Sequence, residues 1–200
     1  YLEADVASLR LMLRHKTKRH NIEGGLTIKS ERIRENSTEY EMRDSAGYSI
    51  PHTGNDLYMI YSLRANNRLK ATRVEGYIQD SYRFRSAGEH TMFTLNYGIR
   101  FSNWSFNKET IVSPRISLAV IPAFSHDVTL RFATGLYYQA PFYKELRDTS
   151  TVNGVTMAKL NRKIKSQRSI HFITAFDYRF KLNNRPFKFT AEAYYKALGN

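Results

Sequence analysis

From Val128 to Tyr138 the chain alternates without a break. Val128, Leu130, Phe132, Leu136 and Tyr138 share one face, with Thr134 their only polar member. Thr129, Arg131, Ala133, Gly135 and Tyr137 share the other. A period of two marks a β-strand. The run also reaches the roughly 9–11 residues that a tilted strand needs to cross a bilayer. Gln139 and Ala140 follow, and Pro141, which has no N–H, stops the ladder. An apolar face closing in tyrosine, opposite small and charged residues, is the pattern of one stave of a membrane barrel.

The rest of the chain repeats this pattern. Alternation predicts strands over 6–14, from 22 into a polar stretch ending near 40, and over 68–85, 90–104, 113–122, 128–139, 166–182 and 187–198. Residues 90–104 are the cleanest, with Phe93, Leu95, Tyr97, Ile99 and Phe101 outward against Thr94, Asn96, Gly98, Arg100 and Ser102. Trp104, near the far end of that strand, is expected among the interfacial aromatics. Short turns are expected near 15–19, 86–89, 123–127 and 183–186, and longer links over 41–66, 105–112 and 139–165. Within 41–66, Asp44 to Gly47 and Pro51 to Asn55 read as turns and Leu57 to Leu63 as a short strand, before a turn at Asn66–Asn67. Short connections at one end and long ones at the other describe an up-and-down antiparallel transmembrane β-barrel of about eight strands. A Greek-key sandwich has no reason to sort its connections this way.

The mean hydropathy of −0.53 agrees with a barrel, because only every second residue of a strand meets lipid. No run approaches the roughly 18 apolar residues of a membrane helix. The chain has no cysteine, which excludes disulfides and thiolate metal sites. Its 14 tyrosines suit a bilayer interface, where the ring is buried and the hydroxyl stays wet. The net charge of +13 is spread singly over strands and turns, with Lys16, Lys18 and Arg19 as the one cluster, so nucleic acid is not the expected partner. The opening Tyr1 and the end at Asn200 directly after a strand are read as the ends of a segment, so any barrel would be incomplete.

Several segments resemble the barrel of TonB-dependent outer-membrane receptors, most closely those of the Bacteroidetes. They are Gly76-Tyr77-Ile78-Gln79-Asp80 with the strand end 82–84, Leu95 to Phe101, Ser113 to Leu118, the strand leading into Gln139-Ala140-Pro141 with Lys144-Glu145-Leu146, and Phe176 to Phe180 followed by Thr190 to Lys196. Gln139 stands where that family often carries arginine or lysine. The resemblance implies a barrel of probably 22 strands around an N-terminal plug, with residues 1–200 as a wall segment. The plug, the segment that TonB pulls on and the closing strand would lie outside it. It further implies a Gram-negative outer membrane, surrounding lipid, a TonB complex engaged through the missing N-terminal region, a surface lipoprotein and a scarce small nutrient as ligand. No cofactor is implied.

No catalytic constellation emerges, and the chain is not read as an enzyme. Asp177 and Glu192 lie on inward faces beside Arg179, Lys188 and Lys196, where ion pairing is expected. His15 and His20 flank a turn and do not make a metal site. Gly24–Gly25 within a strand is expected to relieve crowding. Cations outnumber carboxylates on the inward faces, which leaves two readings: a lumen attracting an anionic ligand, or charges paired with a plug and further strands. Ligand contact is expected first at Tyr137, Gln139, Tyr143 and Arg147, with Arg131 and Arg100 on the lumen wall. Two rival readings are a complete eight-stranded barrel with a structural or adhesive role and a soluble basic β-domain that binds nucleic acid or another polyanion. The soluble domain would pack its apolar faces together.

Overall fold

The computed structural model describes residues 1–43, 58–86, 88, 90–152 and 155–199. They form one antiparallel sheet with a small inserted hairpin. The strands are β1 (Leu2–Lys16), β2 (His20–Arg43), β3 (Tyr58–Arg85), β4 (Met92–Trp104), β5 (Glu109–Ile121), β6 (Val128–Gln139), β7 (Arg147–Val152), β8 (Val155–Leu160), β9 (Gln167–Leu182) and β10 (Arg185–Gly199). The sheet runs in the order β1-β2-β3-β4-β5-β6-β9-β10. Among the described residues β1 and β10 do not pair, so the sheet is open, as in part of a barrel.

Register follows from the two-residue period. Leu26 faces Gly76, Ile99 faces Ile78, and Leu118 faces both Leu95 and Phe132. Shifting any strand by one residue would turn its apolar set to the opposite face. The outer face is not packed against anything. Leu9 is 74% exposed, Ile78 57% and Phe172 53%. A soluble sandwich would have buried these side chains; a membrane barrel gives them to lipid. Near the short turns this face carries aromatic stacks. His20, Tyr82, Phe84 and Phe93 follow one another, as do Tyr178, Phe180 and Phe187, with neighbouring ring centroids between 4.5 and 5.7 Å apart. They form an interfacial girdle. Asp80 also lies on this side, but His20 Nδ1 at 2.6 Å, the Tyr97 hydroxyl and the Asn21 amide satisfy its carboxylate.

The last short turn shows why the sequence reverses there. Asn183 and Asn184 both have positive φ, 50° and 63°, the conformation of a type I′ hairpin. Asparagine tolerates that region better than most residues.

Several expectations need correction. The main sheet path has the eight strands expected, but the described residues hold two more, because the link over 139–165 contains a 3-10 turn (Tyr143–Leu146) and the β7–β8 hairpin. Asn66–Asn67 is not a turn: it lies inside β3, opposite Asn36 and Glu35 of β2. The 105–112 link is only a four-residue turn at 105–108, since β5 already begins at Glu109. There the Asn107 carboxamide oxygen accepts from the Glu109 amide and closes the turn locally. Trp104 does not face lipid. It shares the inner face with Arg100 and Ser102 and is 5% exposed. The turns expected at Asp44–Gly47 and Pro51–Asn55 lie outside the described residues.

Candidate functional site

The main hydrophobic cluster sits on the inner face at the long-loop end. Leu69, Ala71, Trp104, Phe106 and Leu146 form it, with Ile33, Tyr143, Leu160 and Ile164 packed against it. It exists because the connection after β6 turns inward. Glu145 caps the 3-10 turn by accepting the Phe142 amide at 2.8 Å, and Leu146 drops into the cluster, 1% exposed. The β7–β8 hairpin then reaches back to β3. Thr156 to Ala158 pair in parallel with Leu63 to Ala65, beyond the point where β4 has ended.

Polar clamps hold this connection down. Glu35, 7% exposed, accepts from the Tyr143 hydroxyl at 2.9 Å, Arg147 Nη1 at 2.8 Å and Asn67 Nδ2 at 2.9 Å. Asn67 also donates to the Ala158 carbonyl. Desolvation, and then the hydrogen bond to Glu35, push the Tyr143 hydroxyl above the usual tyrosine range. Farther along, Glu109 accepts from the Ser166 amide and hydroxyl, and Asn107 donates to the Ile164 carbonyl. Charged residues in a buried network hold only when each has a partner. Here the carboxylates Glu35 and Glu109 each receive several donors.

Below the clamps the inner wall is polar and partly paired. Arg14 meets Glu23 at 2.7 Å, Lys29 meets Glu75 at 2.7 Å, and Arg73 meets Glu31 at 3.3 Å. Glu31 also accepts from Trp104 Nε1 at 3.0 Å, and Arg73 lies 4.4 Å over the Trp104 ring. Asp177 pairs with Arg131 and Lys188 and accepts from the Thr190 hydroxyl, so ion pairing occurs at Asp177 as expected. A basin of about 570 Å³ opens on this wall, with Arg10, Glu23, Tyr77, Arg100 and Arg115 on its border.

The expected contact residues separate into three groups. Tyr143 and Arg147 converge on Glu35. Tyr137 stacks on His171, centroids 4.3 Å apart, and carries Arg115 on its ring; Arg100 borders the same basin as Arg115. Arg131 is held apart from them by Asp177, and exposed Gln139 borders a separate pocket with Glu145 and Lys165. Sequence reasoning passed over Glu35, Tyr77 and Arg115 as site residues. The inward parity of Arg115 was visible; its tyrosine partner across the sheet was not.

An apolar outer band, a charged inner wall and an external connection folded inward define the wall of an outer-membrane β-barrel. The chain belongs to the TonB dependent receptor-like β-barrel family, whose model matches residues 8–200. It therefore resides in the Gram-negative outer membrane. Among solved structures it is similar to a mutant of the ferric enterobactin receptor PfeA of Pseudomonas aeruginosa, with TM-score 0.56 and 16% identity over 94% of this chain and 26% of that one. A second mutant of that receptor, in complex with enterobactin, gives TM-score 0.55 with the same identity and coverage. At this identity the likeness concerns the fold, and the chain spans about a quarter of the receptor's length. No curated protein matches the sequence.

Proposed function

We propose that the whole protein is a TonB-dependent transporter that imports a scarce nutrient, of the class of ferric siderophores, vitamins, glycans or peptides. Residues 1–200 supply wall and external loops of a larger barrel, while the plug and the TonB contact belong to other parts of the protein. External loops and plug capture the ligand, and TonB-driven movement of the plug admits it to the polar lumen. A surface lipoprotein, where one attends the barrel, docks at the outer rim, where the long connections lie.

The observation that carries this reading is the inward-folded connection over a polar inner wall, in a member of this receptor family. A purely structural barrel needs no such arrangement. In this scheme Tyr137 and Gln139 offer contact surface, Arg100 faces the lumen, and Tyr143 and Arg147 shape the loop through Glu35. Arg131 acts on the wall through Asp177.

The test is genetic. Deleting the gene in the source bacterium should abolish growth on one limiting nutrient, and loss of TonB should reproduce that defect. The native protein in the outer-membrane fraction should have a mass several times the 23.3 kDa of this chain. Uptake that persists without TonB, or a native mass near 23.3 kDa, would contradict the proposal.

A further inference from the structure

Two arginines of the inner wall lie against tyrosines. Arg115 Cζ stands 4.1 Å from the Tyr137 ring centroid, and Arg100 Cζ stands 5.9 Å from that of Tyr77. Each tyrosine has a glycine making room for it. A Cβ on Gly25, directly opposite Tyr77, would come within 2.5 Å of Tyr77 Cε1. A Cβ on Gly135, directly opposite Arg115, would stand 3.0 Å from Arg115 Cγ and 3.1 Å from Tyr137 Cε2. The same unit of glycine, tyrosine and arginine thus occurs twice on one wall.

Both arginines border the 570 Å³ basin, whose carboxylates are engaged elsewhere. Glu23 takes Arg14 and the Tyr77 hydroxyl, and Glu75 takes Lys29. Among the described residues neither Arg100 nor Arg115 has an ion-pair partner, and Arg115 Nε is buried without a hydrogen-bond acceptor. A guanidinium backed by a ring keeps its in-plane N–H edge for a planar oxyanion, which it can hold through two parallel hydrogen bonds. Two like charges in one basin also attract an anion more strongly than either alone.

We propose that Arg100 and Arg115 form a receptor for a carboxylate on the lumen wall. The carboxylate comes either from a soluble ligand crossing the lumen or from an interior side chain of the whole protein. The proposal rests on this face being the lumen of the transporter. Uptake is read by a different assay, so the two readings fail independently.

The experiment compares the thermal midpoint of the whole purified protein in citrate and in chloride at matched ionic strength. Wild type is measured beside R100Q/R115Q, and beside R100K/R115K, which keeps the charge and loses the fork. If the carboxylate is a ligand's, citrate raises the wild-type midpoint by several degrees, leaves R100Q/R115Q unmoved and moves R100K/R115K by less than half as much. If it is the protein's own, citrate moves none of them, and R100Q/R115Q melts lower by a margin that closes at high salt. An equal citrate response in all three, coincident midpoints without a response, or a deficit indifferent to salt would overturn the proposal.

Discussion

The Tyr143 hydroxyl donates to Glu35 Oε2 over 2.9 Å, across 108 residues of sequence. Arg147 and Asn67 reach the same carboxylate. This point joins the connection after β6 to the external end of the β2–β3 pair.

Replacing Glu35 by Ala should therefore free the β7–β8 hairpin. It leaves a half-buried guanidinium and a tyrosine hydroxyl without their acceptor and takes one of two acceptors from the Asn67 carboxamide, a loss on the order of 3 kcal/mol in local opening. Amide exchange over 155–160 should quicken by about a hundredfold, while exchange in β4 and β5 stays unchanged. Glu35→Gln, which keeps an acceptor oxygen, should lie between the two.

The same clamp predicts an alkaline limit. Burial and the bond to Glu35 hold the Tyr143 pKa above its ordinary value of 10.0. For a raised pKa the stabilisation is complete below the unfolded value, about 10, and is lost as pH rises through the folded value. The hairpin should stay closed from neutral pH to about 9 and loosen above about 10. A difference titration of tyrosinate absorbance, wild type against Tyr143→Phe, should show one tyrosine ionising after the exposed ones. Ionisation of Tyr143 together with the exposed tyrosines would contradict this.

Gly98 and Gly76 should respond differently to the same methyl group. A Cβ on Gly98 would stand 2.8 Å from the Ile78 carbonyl oxygen, which is backbone and cannot swing away. At Gly76 the nearest atom is 3.6 Å away. Gly98→Ala should cost about 1–3 kcal/mol in unfolding from lipid vesicles, and Gly76→Ala close to nothing.

Strand parity makes a stronger contrast. Ile99 faces outward and Asn96 inward on β4. Ile99→Arg should destabilise the folded barrel by about 2–4 kcal/mol, because it puts a charge into lipid. Asn96→Arg should fold with near-normal stability. Urea titration of both variants in vesicles decides this.

The sheet was legible in the sequence wherever one face is apolar throughout. Phe93 to Phe101 and Val128 to Tyr138 announce their two faces through parity alone, whereas their pairing partners on β5 and β9 came with the fold. What stayed hidden depends on distant contacts. Asn66–Asn67 has the composition of a turn, yet Glu35 and the Ala158 carbonyl occupy the Asn67 side chain within a continuous strand. The β7–β8 hairpin lacks a run of alternating apolar residues, and its edge pairing lies on β3, far back in the chain. Trp104 has the right distance for a girdle residue, but its parity turns it inward onto Glu31. Tyr137, near the end of β6, and Arg147, in the link beyond it, are candidates by position alone; that one stacks on His171 and the other binds Glu35 required the fold.

Successive residues of one strand face lipid and lumen in turn, and everything else in the barrel wall follows from that. The chain has no cysteine, so single cysteines can be placed cleanly along Phe93–Phe101. In outer-membrane vesicles, a bulky water-soluble thiol reagent should label positions 94, 96, 98 and 100, and a lipid-soluble one positions 93, 95, 97, 99 and 101. That alternation is the predicted result. Equal labelling of both sets by the water-soluble reagent would contradict the account.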